Sequence, residues 1–387
     1  MDYTIKKQDV PRGENGARLC RLSTGDSVCR AGKSIAVRFS GRRGVLSTSL
    51  LNGGYRRDLE GVFHNDCKLD GKRCKIRTEE FGDYLRLVAS KLRFAPERAT
   101  GLSTAANMDN VSIRSETFRQ LTVTAIVTGG IEINGGRVGD PASYYEEKGS
   151  YFPLRPGTIN IILVVDACLP EWTLVRALVT CTEAKTAALQ ELMTASRYSS
   201  GIATGSGTDG TVVVANDDSS RVLTDAGKHS KLGELIGKSV KCAVKEALYR
   251  QTGVCPARQH SVFRRAERYG IDREKVWDCG AKSQGGMEEN RFRAALDRMD
   301  RESGLVVQTS LYVHLLDELE WDMITPQEAE TAGAGIAGCI CRKAKAELKA
   351  EFEWHPIDGQ DRKTAVRGMT ENYVRLLSAL AVGLAGV

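Results

Sequence analysis

Two stretches of the 387-residue chain concentrate the residue types that do chemistry. Residues 128–146 set Glu132, Asn134, Arg137 and Asp140 among five glycines, at positions 129, 130, 135, 136 and 139. Such glycines let backbone amides approach a ligand closely, and those amides can line an oxyanion hole. Glu132 or Asp140 would act as a general base if partial burial made it a stronger base. The structural alternative is a loop in which Asp140 caps a helix beginning at Pro141. The second stretch, residues 226–234, holds Lys228, His229 and Lys231 ahead of a helix, with Ser230 at the N-cap. Two flanking lysines favour the neutral imidazole of His229, which can accept a proton. Lys228 and Lys231 near a helix start suit an anion, or simply form a basic cap over a buried histidine.

Three further groups carry weaker signals. Residues 203–210 are rich in Gly, Ser and Thr but lack the Gly-Lys-Ser/Thr ending of a phosphate loop. A Ser or Thr nucleophile there, with Asp209 beside Thr208, would want a strand–turn–helix setting that Gly205-Ser206-Gly207 does not supply. His64-Asn65-Asp66 could set an imidazole and a carboxylate together on a loop. Glu183, inside a helical stretch, fits a structural contact better than catalysis. The 11 cysteines include no Cys-x-x-Cys pair, and none of the five histidines pairs at zinc-ligand spacing, so reduced thiols and no metal are expected.

The elements that must position these residues follow from periodicity. Residues 34–39 and 45–51 alternate as strands, and the second runs into Asn52-Gly53-Gly54. A strand-like run giving way to an Asn, Asp and Gly turn recurs near residues 102–110, 123–137 and 201–210. Four such units predict loops gathered at one end of a sheet, or merely the turns that any β-rich chain needs. Helical spacing covers 79–94, a long stretch opening at Pro170, and 232–249, with strands at 159–165 and 211–214. The expected fold is α+β: a mixed β-sheet core with flanking helices and Gly-rich loops, plus an α-helical C-terminal extension. Residues 1–33 are read as irregular and 34–255 as the core. Residues 256–387 are read as helical, at 261–269, 288–303, 305–319, 326–352 and 363–384, packing on the core or serving homo-oligomer contacts.

The net charge of +6 is local: residues 1–100 carry 21 basic and 12 acidic side chains, and the rest is nearly balanced. Arg42, Arg43, Arg56 and Arg57 are the nearest approach to a basic stripe. They lack interleaved aromatics, so a solvated surface is expected and no nucleic-acid partner. No apolar run approaches the roughly 20 residues needed to cross a bilayer. The opening residues lack the apolar core of a secretory signal, so a soluble cytoplasmic protein without a membrane partner is expected.

Taken in order, residues 45–66, 101–113, 122–145, 157–167, 180–192, 197–214 and 227–236 resemble the adenosylcobinamide amidohydrolase (CbiZ) family of corrinoid salvage. The resemblance implies hydrolysis of the amide joining a corrin side chain to its aminopropanol arm, giving adenosylcobyric acid. The corrinoid would be the small-molecule substrate, and the resemblance establishes no cofactor. On the matching positions, Glu132, Asp140, Lys228 and His229 are the catalytic candidates. Asn52, Asn134, Arg137, Thr208 and Asp209 are the substrate-binding candidates, with Glu132 activating water and His229 or Lys228 assisting the leaving amine. Arg56 and Arg57, near the Asn52 loop, would then face a phosphate-bearing corrinoid. A non-catalytic corrinoid binder, or a peptide amidohydrolase with a Thr or Ser nucleophile, are the rival readings.

Overall fold

The computed structural model describes residues 17–68, 81–142, 145, 157–283, 288–348, 352–357 and 361–386. The chain divides into two compact units, Met1–Cys255 and Pro256–Val387.

The first unit runs β1 (Ala17–Arg21), β2 (Ser27–Ala31), β3 (Ser34–Arg38), β4 (Arg43–Ser47), β5 (Gly54–Arg56), β6 (Gly61–Asp66), α1 (Phe81–Lys91) and β7 (Ala99–Thr104). It continues through β8 (Ser112–Phe118), β9 (Leu121–Gly130), β10 (Gly135–Gly136), β11 (Thr158–Val165), α2 (Glu171–Glu191), β12 (Gly205–Ser206), β13 (Gly210–Asn216) and α3 (Lys231–Thr252). One sheet has the order β1-β2-β3-β6-β7, the other β5-β4-β13-β11-β9-β8, and β10 and β12 form a short ribbon. Both larger sheets are mixed: β6 and β7 pair in parallel, as do β11 and β13, while the other pairs are antiparallel. The class is α+β.

Alternation along the strands decides the layers. Odd positions of β11, Ile159, Ile161, Leu163 and Val165, join Val213 of β13 against the apolar stripes of α2 and α3. Even positions, Ile162 and Val164, meet side chains of the first sheet such as Ile35, Val37, Val62 and Leu102. The far face of that sheet packs Phe63 and Ala99 on Leu85 and Val88 of α1 and on Leu92 just beyond it. The order is helices, sheet, sheet, helix. β11 is buried along its whole length because both faces are covered.

The structure corrects the N-terminal segment where it is described. Residues 17–31 are not irregular: β1 and β2 pair as a hairpin. Gly25 sits at φ +83° in the turn between them, the left-handed region glycine favours. The punctuating glycine marks a hairpin, and the short strands around it carry too little alternation to be seen alone.

The second unit is helical: α4 (Pro256–Gln259), α5 (Val262–Ala266), α6 (Arg273–Ser283), α7 (Glu289–Asp300), α8 (Ser303–Glu320), α9 (Pro326–Leu348) and α10 (Arg362–Ala385). Periodicity misses α6, a short helix that is polar along much of its length. The core of this unit joins Phe292, Leu296, Tyr312, Leu316, Tyr373 and Leu377, with the rings of Tyr312 and Tyr373 stacked at 4.3 Å.

Candidate active site

The residues at the N-terminal ends of β11 and β13 form one hydrogen-bonded cluster, with Asp209 at its centre. Its Oδ1 accepts from the Ile159 amide at 2.8 Å and the Ser206 hydroxyl at 2.7 Å. Its Oδ2 accepts from the Ser206 amide at 3.0 Å and from Lys185 Nζ at 2.5 Å. Lys185 and Asp209 are each only 11% exposed. The helix period sets Lys185 on the buried stripe of α2, four residues after Cys181 and three before Ala188. Gly205 makes room for the pair: a Cβ there would stand 2.4 Å from Asp209 Oδ2 and 2.7 Å from Lys185 Nζ.

Beside this pair lies a corner of hydroxyls and amides. Thr208 Oγ1 donates to the Gly157 carbonyl at 3.1 Å and meets Thr158 Oγ1 at 2.6 Å. The buried Asn134 donates from Nδ2 to the same carbonyl at 3.2 Å, and its Oδ1 accepts from the Tyr198 hydroxyl at 2.8 Å. Pairing of Gly135 with Ser206 and of Gly136 with Gly205 ties the 131–140 loop to the 205–209 loop. Arg197 Nε donates to the Glu132 carbonyl at 2.7 Å, holding the half-buried Glu132 segment at the edge. Arg137 packs its chain over Gly201, where a Cβ would lie 2.5 Å from its Cδ. Ile133 and Val138 stand exposed on the 131–140 loop, with the Val138 amide donating to Thr204 Oγ1 at 2.9 Å, and Tyr145 is exposed further along the chain.

Asp140 departs from expectation. Burial pushes its carboxyl up, but hydrogen bonds from Ser196 and Ser199, the Arg137 amide and the Arg137 charge outweigh that and hold it below the usual carboxylate range. Its Oδ2 accepts from the Arg137 amide at 2.7 Å and Ser196 Oγ at 2.6 Å, so it closes the loop as an ionised acceptor. A base strengthened by burial is not what this position offers.

Three other candidates lie outside the cluster. The Nδ2 of Asn52 donates to the Pro96 and Ala99 carbonyls, both at 2.7 Å, which uses both its amide protons on the approach to β7. Lys228 pairs with Glu183 at 2.9 Å on an exposed face of α2. Glu183 and Lys185 are two residues apart, about 200° around the helix, so Lys228 sits on the side of α2 away from Asp209. His229 is exposed next to it, and Ser230 caps α3 by accepting from the Gly233 amide at 3.0 Å. The arginines are committed too. Arg42 pairs with Asp218 at 2.9 Å, Arg56 with Asp58 at 2.6 Å and Arg57 with Asp217 at 2.8 Å. Arg43 is not solvated at all: it and Asp26 pair at 2.7 Å, 2% and 0% exposed.

His64 lies on β6, not on a loop, and is fully buried. Its Nδ1 meets Thr128 Oγ1 at 3.2 Å across the two sheets, and its Nε2 has no partner among the described residues. Burial pushes its pKa down to about 3.

Lys185, Tyr198, Thr158 and Ser196 belong to the cluster and were not singled out by sequence. For Lys185 a signal existed: a lysine on the apolar stripe of a helix needs a buried partner. Tyr198 and Ser196 lie in an irregular loop, where spacing carries no information about contacts.

The two sheets with helices on their outer faces, and a loop cluster gathered at the strand ends, define an α+β domain, the class expected from the sequence. A family model described as adenosylcobinamide amidohydrolase matches residues 20–256, and the chain belongs to this family. It is 35% identical over 237 residues to an uncharacterized protein of Methanocaldococcus jannaschii, covering 58% of this chain and 89% of that one. The crystal structure of a Pyrococcus horikoshii OT3 protein aligns over 61% of this chain and 81% of its own, with 12% identity and a TM-score of 0.30, too low to define a shared fold. Residues 257–387 lie beyond the family match. Among the described residues, no group of three or more His, Cys, Asp or Glu could hold a metal ion, and the ten described cysteines are free thiols. No described helix is long and apolar enough to cross a membrane.

Proposed function

We propose that the chain hydrolyses the amide linking the corrin side chain of adenosylcobinamide to its aminopropanol arm, in the cytoplasm. Water adds to the amide carbonyl and the C–N bond breaks. The products are adenosylcobyric acid and free aminopropanol, whose nitrogen takes up a proton. The observation that carries this reading is the convergence, inside the stretch matching the family, of the 131–140, 157–160 and 204–209 loops on one polar corner.

The roles follow from what each group has left to offer. Asp209, with four donors on its two oxygens, organises the loops and is fully occupied in doing so. Thr208 commits its proton to the Gly157 carbonyl, and no base contacts its hydroxyl among the described residues, which disfavours a threonine nucleophile. Glu132 is then the carboxylate that activates water at the rim. Tyr198, whose proton is committed to Asn134 Oδ1, fixes Asn134 within the corner, and the proton that Glu132 takes from water is passed on to the leaving amine in place of one from Lys228 or His229. The exposed Ile133 and Val138 suit the apolar parts of a large macrocycle.

Incubating the pure protein with adenosylcobinamide and following adenosylcobyric acid and aminopropanol by mass tests the reaction. Binding without conversion would point to a non-catalytic corrinoid binder. Glu132→Gln should lower kcat at least about 100-fold, the usual scale for removing a general base. Undiminished turnover would remove Glu132 from that role, and an acyl adduct on Thr208 or Ser206 would replace water activation with a nucleophile.

A further inference from the structure

The second unit holds a cavity of its own, apart from the corrinoid chemistry. It measures about 600 Å³ and opens between α7, α8, α9 and α10, within the range typical of small-molecule sites between bundled helices. Met299, Leu305, Ile340 and Leu380, all nearly buried, form its apolar wall together with Leu384. Leu380 and Leu384 on α10, and Ile340 and Lys343 on α9, are three or four residues apart and therefore project to one side of their helices.

The rim is charged unequally. Arg298, Glu302 and Lys343 border the cavity. The Glu302 carboxylate is already spent as the N-cap of α8: it accepts from the Gly304 amide at 3.0 Å and from the Leu305 amide. Burial pushes that carboxyl up, but the two amides and Lys343 outweigh it and hold it low, so it stays ionised where the helix end favours a negative charge. Lys343 reaches it only at 3.4 Å. Arg298 is exposed and makes no hydrogen bond or ion pair with any described residue. Gly304 keeps this corner open, since a Cβ there would stand 3.0 Å from Lys343 Nζ.

We propose that this cavity binds an amphipathic anion: an apolar chain or ring lying between Met299, Leu305, Ile340 and Leu380, with a carboxylate or phosphate head at Arg298 and Lys343. The apolar wall supplies binding by removing hydrocarbon from water, and the two cations select the head group. The site lies outside the family-matched residues and does not depend on the amidohydrolase reading.

The test is a fluorescence titration of the full chain with dansyl-labelled undecanoate, followed by displacement with dodecanoate, dodecyl phosphate and dodecanol. Saturable binding is expected, with both anions displacing the probe and dodecanol at least about tenfold weaker, the cost of losing one charge-assisted contact. The ratio of dodecanoate to dodecyl phosphate affinity identifies the head group preferred. Arg298→Glu, an exposed change that leaves the core intact, should weaken both anions about tenfold and leave dodecanol alone. Leu305→Trp should block the cavity. Absence of saturable binding, equal displacement by dodecanol, or probe binding indifferent to both substitutions would overturn the proposal.

Discussion

The buried His64 makes the stability of the first unit depend on pH in a defined window. Unfolded, its imidazole titrates near 6.5; folded, burial holds it down to about 3. The folded state therefore refuses a proton that the unfolded chain accepts once pH falls below 6.5. Stability from this group is fully present above that value and is lost as pH falls toward 3. Each unit of pH in the window is worth about 1.4 kcal/mol, so a drop from pH 7 to pH 5 costs about 2 kcal/mol from this side chain alone. Carboxylates such as Asp140 and Glu246, which are held below their usual range, add their loss at lower pH still. His64→Leu should abolish the window while keeping the volume of the site. It leaves the Thr128 hydroxyl without its ring partner, so little gain is expected at neutral pH. Replacing both, His64→Leu with Thr128→Val, should add on the order of 1 kcal/mol, because no unpaired buried polar atom remains. The assay is hydrogen exchange of peptides from β6 and β9, comparing variant and wild type at the same pH from 7 to 5 so that intrinsic rates cancel. This reads the opening of the first unit without assuming that both units unfold together. Equal protection differences at pH 7 and pH 5 would refute the reasoning.

Asp209→Asn should destabilise the first unit by about 3 kcal/mol, since it strands the nearly buried Lys185 charge; pairing it with Lys185→Met should recover part of that, as thermal melts of the two variants and wild type would record. Arg43→Met, which leaves Asp26 buried and unpaired, should cost about 3–5 kcal/mol in a urea titration. Arg57→Ala, which strips the cation from an Asp217 side chain only 4% exposed, should cost more than the roughly 1 kcal/mol of a surface pair in the same titration. Asn52 sits at φ +48° and ties two carbonyls. Asn52→Ala should therefore lose about 1–2 kcal/mol more than a surface substitution, and Asn52→Gly less than Asn52→Ala because glycine tolerates that backbone.

Much of the local structure was legible in the residues themselves. Strands β9, β11 and β13 and helices α2 and α3 emerge from apolar spacing, because period is a local property and a buried strand or a helix stripe advertises itself. The Gly, Asn and Asp turns likewise mark the loops, and their order along residues 45–236 carries the family. What spacing could not supply is which loops meet. Sequence placed Lys228 and His229 in a catalytic role because they stand together at a helix start. The fold sets them on the face of α2 opposite Lys185, and it is Lys185, 24 residues before Asp209, that reaches the loop cluster. Arg43 looked like surface charge among neighbouring arginines, yet the pairing of β13 with β4 encloses it against Asp26. His64 looked like part of a loop, and the packing of two sheets buried it against Thr128. The sequence alone determined the longer elements, the hydroxyl-rich and Gly-rich turns and the family, all written in short-range pattern, while the β1–β2 hairpin and α6 were too short or too polar to be read that way. Only the tertiary structure decided which charges are buried, which are paired and which reach the site, because burial and partnership are set by residues distant in the chain.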